Sequence, residues 1–162
     1  MTDDADIRAR FWKALHSDRT VMLGLQGGEA APRPMTVMTE EDADHGPLWI
    51  FTSKETELGE AVQVTTQAFF TFVSKGHDVF ATVHGLLSPD TDRAMVEKLW
   101  NPFVAAWYPQ GQDDPTLLLL RFDPSQAEMW LNGSSLIAGL KMLLGSDPKH
   151  DYQDHVTKGP LA

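Results

Sequence analysis

RPMTVMTEEDADHGPLWIFTSK, residues Arg33 to Lys54, holds two apolar runs on either side of an acidic turn. Arg33, Pro34 and Met35 open the first run, which continues to Met38. The turn spans Glu40 to Pro47, and the second run, Leu48-Trp49-Ile50-Phe51, stops at Thr52, Ser53 and Lys54. Two strands that run back beside each other bring Arg33 and the Thr-Ser-Lys end to the same edge of a sheet. Arginine, lysine and two hydroxyls beside an aromatic strand make an anion site of phosphate size next to a flat apolar wall. A phosphorylated aromatic cofactor suits both halves.

Outward from this stretch, most of the chain reads as strand. Thr20 to Leu25 is strand-like and ends in Gln26-Gly27-Gly28, a hairpin turn whose return strand is Ala30 to Met38. Pro32 and Pro34 deny that return strand two backbone donors, so its beginning belongs at an edge or in an irregular segment. Ala68 to Ser74 and Val79 to Leu87 are two more strands, joined by Lys75 to Asp78, and Thr116 to Phe122 and Gln126 to Leu131 read as a last pair around Asp123-Pro124. Helical spacing marks Ile7 to His16, with Ile7, Phe11, Ala14 and Leu15 on one face. Thr56 is a good N-cap for a helix reaching towards Thr66, and Ser88-Pro89-Asp90 a good start for one ending near Trp100. Asn101 to Pro115 reads as a short helical piece plus loop, and Ser134 to Leu144 as a small apolar helix. Strands joined by short turns favour a mostly antiparallel barrel with peripheral helices. Residues 1–145 are expected to form one domain and 146–162 a polar, mobile tail.

Composition narrows the function classes. A chain of 162 residues with 42% hydrophobic and 22% charged residues suits one globular domain with a real core. A formal net charge of −10, with 13 scattered basic residues, opposes binding to nucleic acid or an anionic membrane. No apolar run approaches the ~20 residues of a membrane span. The acidic start lacks the basic and apolar parts of a signal peptide, so a cytoplasmic location is expected. The absence of cysteine excludes disulfides, thiolate metal sites and cysteine nucleophiles. The six histidines have no metal-binding spacing, and no GxSxG, GxGxxG or P-loop occurs. No metal site and no hydrolase is expected.

Arg33-Pro34-Met35, the Leu48–Lys54 run with a helical segment behind it, Leu99-Trp100-Asn101-Pro102, Trp107 to Gly111, Asp114-Pro115 and Ala127-Glu128-Met129-Trp130 follow one another in order. That ordered series resembles the FMN-binding split-barrel superfamily of pyridoxamine 5'-phosphate oxidase, and within it the general stress protein branch. The resemblance covers roughly Ile7 to Trp130. It implies a mostly β fold, a six- to seven-stranded antiparallel split β-barrel, forming a homodimer with FMN in two equivalent interface clefts. Arg33 and Lys54 match the residues that grip the FMN phosphate, assisted by Thr52 and Ser53, with Pro34 and Met35 in the same site. The strand carrying Ile50 and Phe51 then offers backbone hydrogen bonds to the flavin ring. The region around Trp107 is expected to cross the dimer interface towards the flavin, and Trp130 to cap the dimethylbenzene side of the ring. Alternation alone does not fix which of Ile50 and Phe51 faces inwards.

One departure bears on activity. True pyridoxamine 5'-phosphate oxidases carry arginine and histidine near the C-terminus to hold the substrate phosphate, whereas the residues after Trp130 read LNGSSLIAGL. The expected function is therefore a flavin-dependent oxidoreductase acting on an unidentified small molecule or a reduced nicotinamide donor, not vitamin B6 oxidation. The alternative is a non-catalytic flavin-binding protein for storage or stress sensing. No catalytic residue is assigned.

Overall fold

The computed structural model describes residues 3–132 and 156–161. Seven antiparallel strands form one sheet: β1 (Thr20–Leu25), β2 (Arg33–Thr36), β3 (Leu48–Ser53), β4 (Thr66–Val73), β5 (Val79–Pro89), β6 (Leu117–Leu131) and β7 (Val156–Pro160). Their spatial order is β2-β1-β4-β5-β6-β3, with β7 paired to β6. β6 is long enough to hold both neighbours: its start pairs with β3 up to Phe122, and Gln126 to Trp130 pair with β7. The two ends of the path are β2 and β3, and the chain just beyond β2 meets β3 at a single bridge. There Met38 and Trp49 exchange both backbone hydrogen bonds, at 2.7 and 2.8 Å. Away from the bridge no ladder joins them, and this gap is the split of the expected split barrel.

Alternation sorts the strand residues. Val21, Leu23, Leu48, Ile50, Phe70, Phe72, Val83, Leu120, Phe122 and Met129 fill the interior. The rings of Phe70 and Phe122 lie 5.2 Å apart. Helix α1 (Asp4–Ser17) buries Ile7, Phe11, Trp12 and Leu15 on one face, and Phe11 meets Phe72 edge-on at 5.9 Å. Each such side chain contributes roughly 1.5–3 kcal/mol of transfer free energy. A second cluster, Met38, Trp49, Val96, Leu99 and Leu119, lies on the outer face of β3 and β6, beneath α3 (Arg93–Leu99) and α4 (Pro102–Ala105). The indole N–H of Trp49 donates to Asp90 at 2.9 Å, so this aromatic is anchored as well as packed.

Four elements differ from the sequence reading. The residues around Asp123-Pro124 form no hairpin; β6 runs through them as one strand. The register slips between His84 and Gly85, so that His84 faces Gln126 and Gly85 faces Pro124. This bulge absorbs the missing proline N–H. Gly85 permits the close approach, because a Cβ there would stand 2.3 Å from the Asp123 carbonyl oxygen. Ser88 and Pro89 end β5, facing Arg121 and Leu120, and do not start a helix. Asp92 caps α3 instead, accepting from the Ala94 N–H at 2.9 Å. The helix after Thr56 is short, α2 (Glu57–Ala61), because β-branched Val62, Val64 and Thr65 turn the chain into β4. Finally, the expected tail contributes β7, held by Arg8, whose guanidinium donates to the Pro160 carbonyl. The helix expected over Ser134 to Leu144 lies outside the described residues.

Candidate functional site: the split between β2 and β3

The split has two polar lips, and backbone geometry dictates them. Alternate residues of a strand aim their N–H and C=O groups at the same neighbour. Val37 N–H bonds the Arg19 carbonyl at 2.8 Å, and the register then assigns the backbone groups of Met35 and Arg33 to β1. Those of Pro34 and Thr36 face the other way, towards β3. The proline therefore costs no ladder bond, which explains its place on this edge. On β3, Trp49 uses its backbone groups on Met38, so those of Phe51 and Ser53 face β2. The main chain of Phe51 thus points into the split. Ile50 is 0% exposed and its side chain belongs to the barrel interior, whereas the Phe51 ring lies on the outer face.

At one end of the split the expected anion-binding residues come together. Arg33 Nη2 donates to Glu57 Oε2 at 2.6 Å, which ties the start of β2 to the first residue of α2. The helix is seated directly on the end of β3: a Cβ at Gly59 would fall 2.1 Å from the Ser53 carbonyl oxygen. Lys54, on the turn between them, is exposed and makes no ion pair with a described residue, while its N–H bonds the Thr116 carbonyl at 2.8 Å.

The two expected hydroxyls differ in what they can do. Thr56 Oγ1 donates to the Ser53 carbonyl at 2.8 Å and accepts from the Gly59 N–H at 3.0 Å. Its only proton is spent, so in the 3.1 Å contact with Thr52 the Thr52 hydroxyl is the donor. Thr52, 6% exposed, is left with lone pairs alone, which are of no use to an ionised phosphate. Ser53 Oγ accepts from the Glu55 N–H at 3.2 Å and keeps its own proton free to donate.

The aromatic residues divide between two regions. Phe51 meets Trp100 edge-on at 6.0 Å, and Trp100 meets Tyr108 at 6.2 Å, so this stack covers the outer face of β3. Burial, and then the nearby Asp114 carboxylate, push the Tyr108 phenol up to about 12, so it remains neutral. Trp107 stands beside the stack but is 82% exposed, and Phe103 is 85% exposed. Trp130 is elsewhere. Ser53 faces Leu117 at the start of β6, and Trp130 lies thirteen residues along that strand, a run of about 40 Å when straight. Trp130 instead lines an open cleft of about 480 Å³ on the outer face of the sheet, with Thr71, Val73, Phe80 and Thr82.

Residues 6–152 match the model of the family described as pyridoxamine 5'-phosphate oxidase like. The chain belongs to that family. Its relation to solved structures places it in the general stress protein branch. It is 53% identical to a general stress family protein from Xanthomonas campestris pv. campestris, over 83% of this chain and 93% of that one, with a TM-score of 0.77. A general stress FMN/FAD binding protein from Xanthomonas citri is 52% identical, over 81% and 92% of the two chains, with a TM-score of 0.76. General stress protein 26 from Jannaschia sp. CCS1 is 28% identical over 99% of both, with a TM-score of 0.79. No curated protein matches.

Within this pyridoxamine 5'-phosphate oxidase-like fold, two features of the site escaped the sequence reading. Glu57 follows a capping threonine and so suits a helix start, yet an acid three residues after Lys54 is also a visible competitor for a cation site. The outer cleft needed the alternation of β4 and β5 to be read for its exposed face, where Thr71, Val73, Phe80 and Thr82 recur at every second position. Arg121 turns outwards and pairs with Asp123 at 2.9 Å. Among the described residues no three His, Asp or Glu side chains are placed to hold a metal, and no helix is long and apolar enough to cross a membrane.

Proposed function

We propose that this chain binds FMN as a homodimer and serves as a flavin-dependent oxidoreductase on a small molecule, without pyridoxamine 5'-phosphate oxidase activity. The observation that carries the reading is the union of two features at one split. The main-chain N–H and C=O of Phe51 face the gap, and Arg33, Lys54 and the free Ser53 hydroxyl stand at its end. A flavin needs both: in-plane hydrogen bonds for its ring edge and cations for its phosphate. The 52% identity to an FMN/FAD binding protein over most of both chains supports the same choice.

Arg33, Ser53 and Lys54 would hold the phosphate, and Phe51 and Pro34 would flank the ring on the outer face, with Met35 and Ile50 supporting from within. Bound flavin supplies the electron-transfer chemistry, and the protein supplies binding, orientation and shelter from water. A second copy is required by this arrangement. The split leaves one face of a bound ring uncovered, and the aromatic cleft around Trp130 lies too far along β6 to serve the same chain's site. Two chains related by a two-fold axis can each lend that cleft, and the exposed Trp107, to the other.

The test is the absorbance spectrum of the protein as purified, combined with its mass by light scattering. Flavin bands at one flavin per chain on a dimer are expected. A heme spectrum, or a monomer that still binds one FMN per chain, would overturn the reading.

A further inference from the structure

Resting on the flavin reading above, we infer that Glu57 is a specificity-determining residue that competes with the cofactor phosphate for Arg33. The contact is short, 2.6 Å between Nη2 and Oε2, and therefore a charge-assisted bond and not a loose approach. The backbone that carries the carboxylate is anchored. Glu57 is the first residue of α2, Thr56 caps that helix, and Gly59 seats it on the carbonyl of Ser53. The carboxylate is thereby delivered to the end of the split where the free Ser53 hydroxyl and Lys54 also lie.

An anion arriving at Arg33 must either displace Glu57 or share the guanidinium with it. Sharing sets two negative groups side by side, so both routes weaken the hold on a phosphate. Arg33 thus has its charge partly committed, while Lys54 has no ion-pair partner among the described residues. Riboflavin lacks the phosphate and meets no such competition. Glu57 consequently lowers the advantage of FMN over riboflavin and sets how readily the phosphate is released.

The experiment is a titration of flavin-free wild type, Glu57→Gln and Glu57→Ala with FMN and with riboflavin, read by quenching of flavin fluorescence at one ionic strength. The Glu57 side chain is 67% exposed, so neither substitution threatens folding. Both variants are expected to bind FMN about three- to ten-fold more tightly, the scale of an exposed ion pair plus the repulsion it imposes, with riboflavin unchanged. The alanine variant separates loss of the charge from any hydrogen bond the amide makes to Arg33. Unchanged or weaker FMN binding in both variants, with FMN still preferred over riboflavin, would overturn the competition and make Glu57 an orienting partner of Arg33. If no form prefers FMN over riboflavin, the phosphate site itself is wrong and the competition falls with it.

Discussion

Replacing Ser53 by alanine and Thr52 by valine should have opposite consequences, although the two residues are neighbours in a Thr-Ser-Lys run. The Ser53 proton is free, because its oxygen only accepts, from the Glu55 N–H at 3.2 Å. The Thr52 proton is committed to Thr56. A hydrogen bond to a charged group is worth roughly 1.5–3 kcal/mol, and a partly exposed site takes the lower end. Ser53→Ala should therefore weaken FMN about ten-fold and leave riboflavin unaffected. Thr52→Val keeps the shape but deletes a buried donor, at about 1 kcal/mol of stability. Thr56 stays satisfied through Gly59 and Ser53, so the loss should not spread. In a domain of this size that corresponds to a drop in Tm of about 2–4 °C with the FMN-to-riboflavin ratio intact. Fluorescence titration with both flavins and a thermal melt of each variant measure these effects. If Thr52→Val abolished the FMN preference while Ser53→Ala kept it, the hydroxyl assignment would be refuted.

Gly85→Ala should destabilise the protein by about 3 kcal/mol, since the new Cβ meets the Asp123 carbonyl at 2.3 Å and Phe122 at 2.8 Å at the bulge; an unchanged thermal melt would contradict the close approach. Stability should also fall in acid. The Ser74 hydroxyl holds the Asp78 carboxyl below its ordinary range, and the N–H and hydroxyl of Thr116 do the same for Asp114. Groups with depressed folded values stabilise above the unfolded carboxylate value and lose that contribution as pH falls through the folded one. Tm should therefore be insensitive to these groups above about pH 5 and decline below about pH 4, with a shallower decline in Asp114→Asn. The FMN-loaded protein should form little or no pyridoxal 5'-phosphate from pyridoxamine 5'-phosphate in an aerobic assay, because the LNGSSLIAGL run after Trp130 has no arginine or histidine and Arg121, on the strand before it, is turned out to Asp123. Turnover of ~1 s⁻¹ or above would refute this.

Much of the fold was legible because local signals and tertiary structure agree. Leu48 to Phe51 is too apolar for anything but a buried strand, and Thr56 is both a good cap and the observed one. Where they disagree, long-range pairing prevails. Ser88-Pro89 has the chemistry of a helix start, yet the ladder to Arg121 and Leu120 keeps both in β5. Asp123-Pro124 looks like a turn, but a glycine 38 residues earlier, Gly85, makes room for it in a continuous strand. β7 has no periodicity to reveal it, and its place depends on the edge that β6 offers. At the site, the convergence of Arg33 with the end of β3 follows from strands running back beside each other. The division of labour between Thr52 and Ser53 depends on which proton is spent where. Composition and spacing carry no trace of that.

The most direct test of the central claim is the ratio of FMN to riboflavin affinity in the wild type and in Lys54→Ala, measured by titration of the flavin-free protein. Lys54 is exposed and makes no ion pair with a described residue, so its charge is available and its loss harms little else. The expected result is a wild type that prefers FMN by at least about ten-fold and a variant in which most of that preference is gone. Equal affinity for the two flavins in the wild type would contradict the account, as would a Lys54→Ala variant that binds FMN as tightly as the parent.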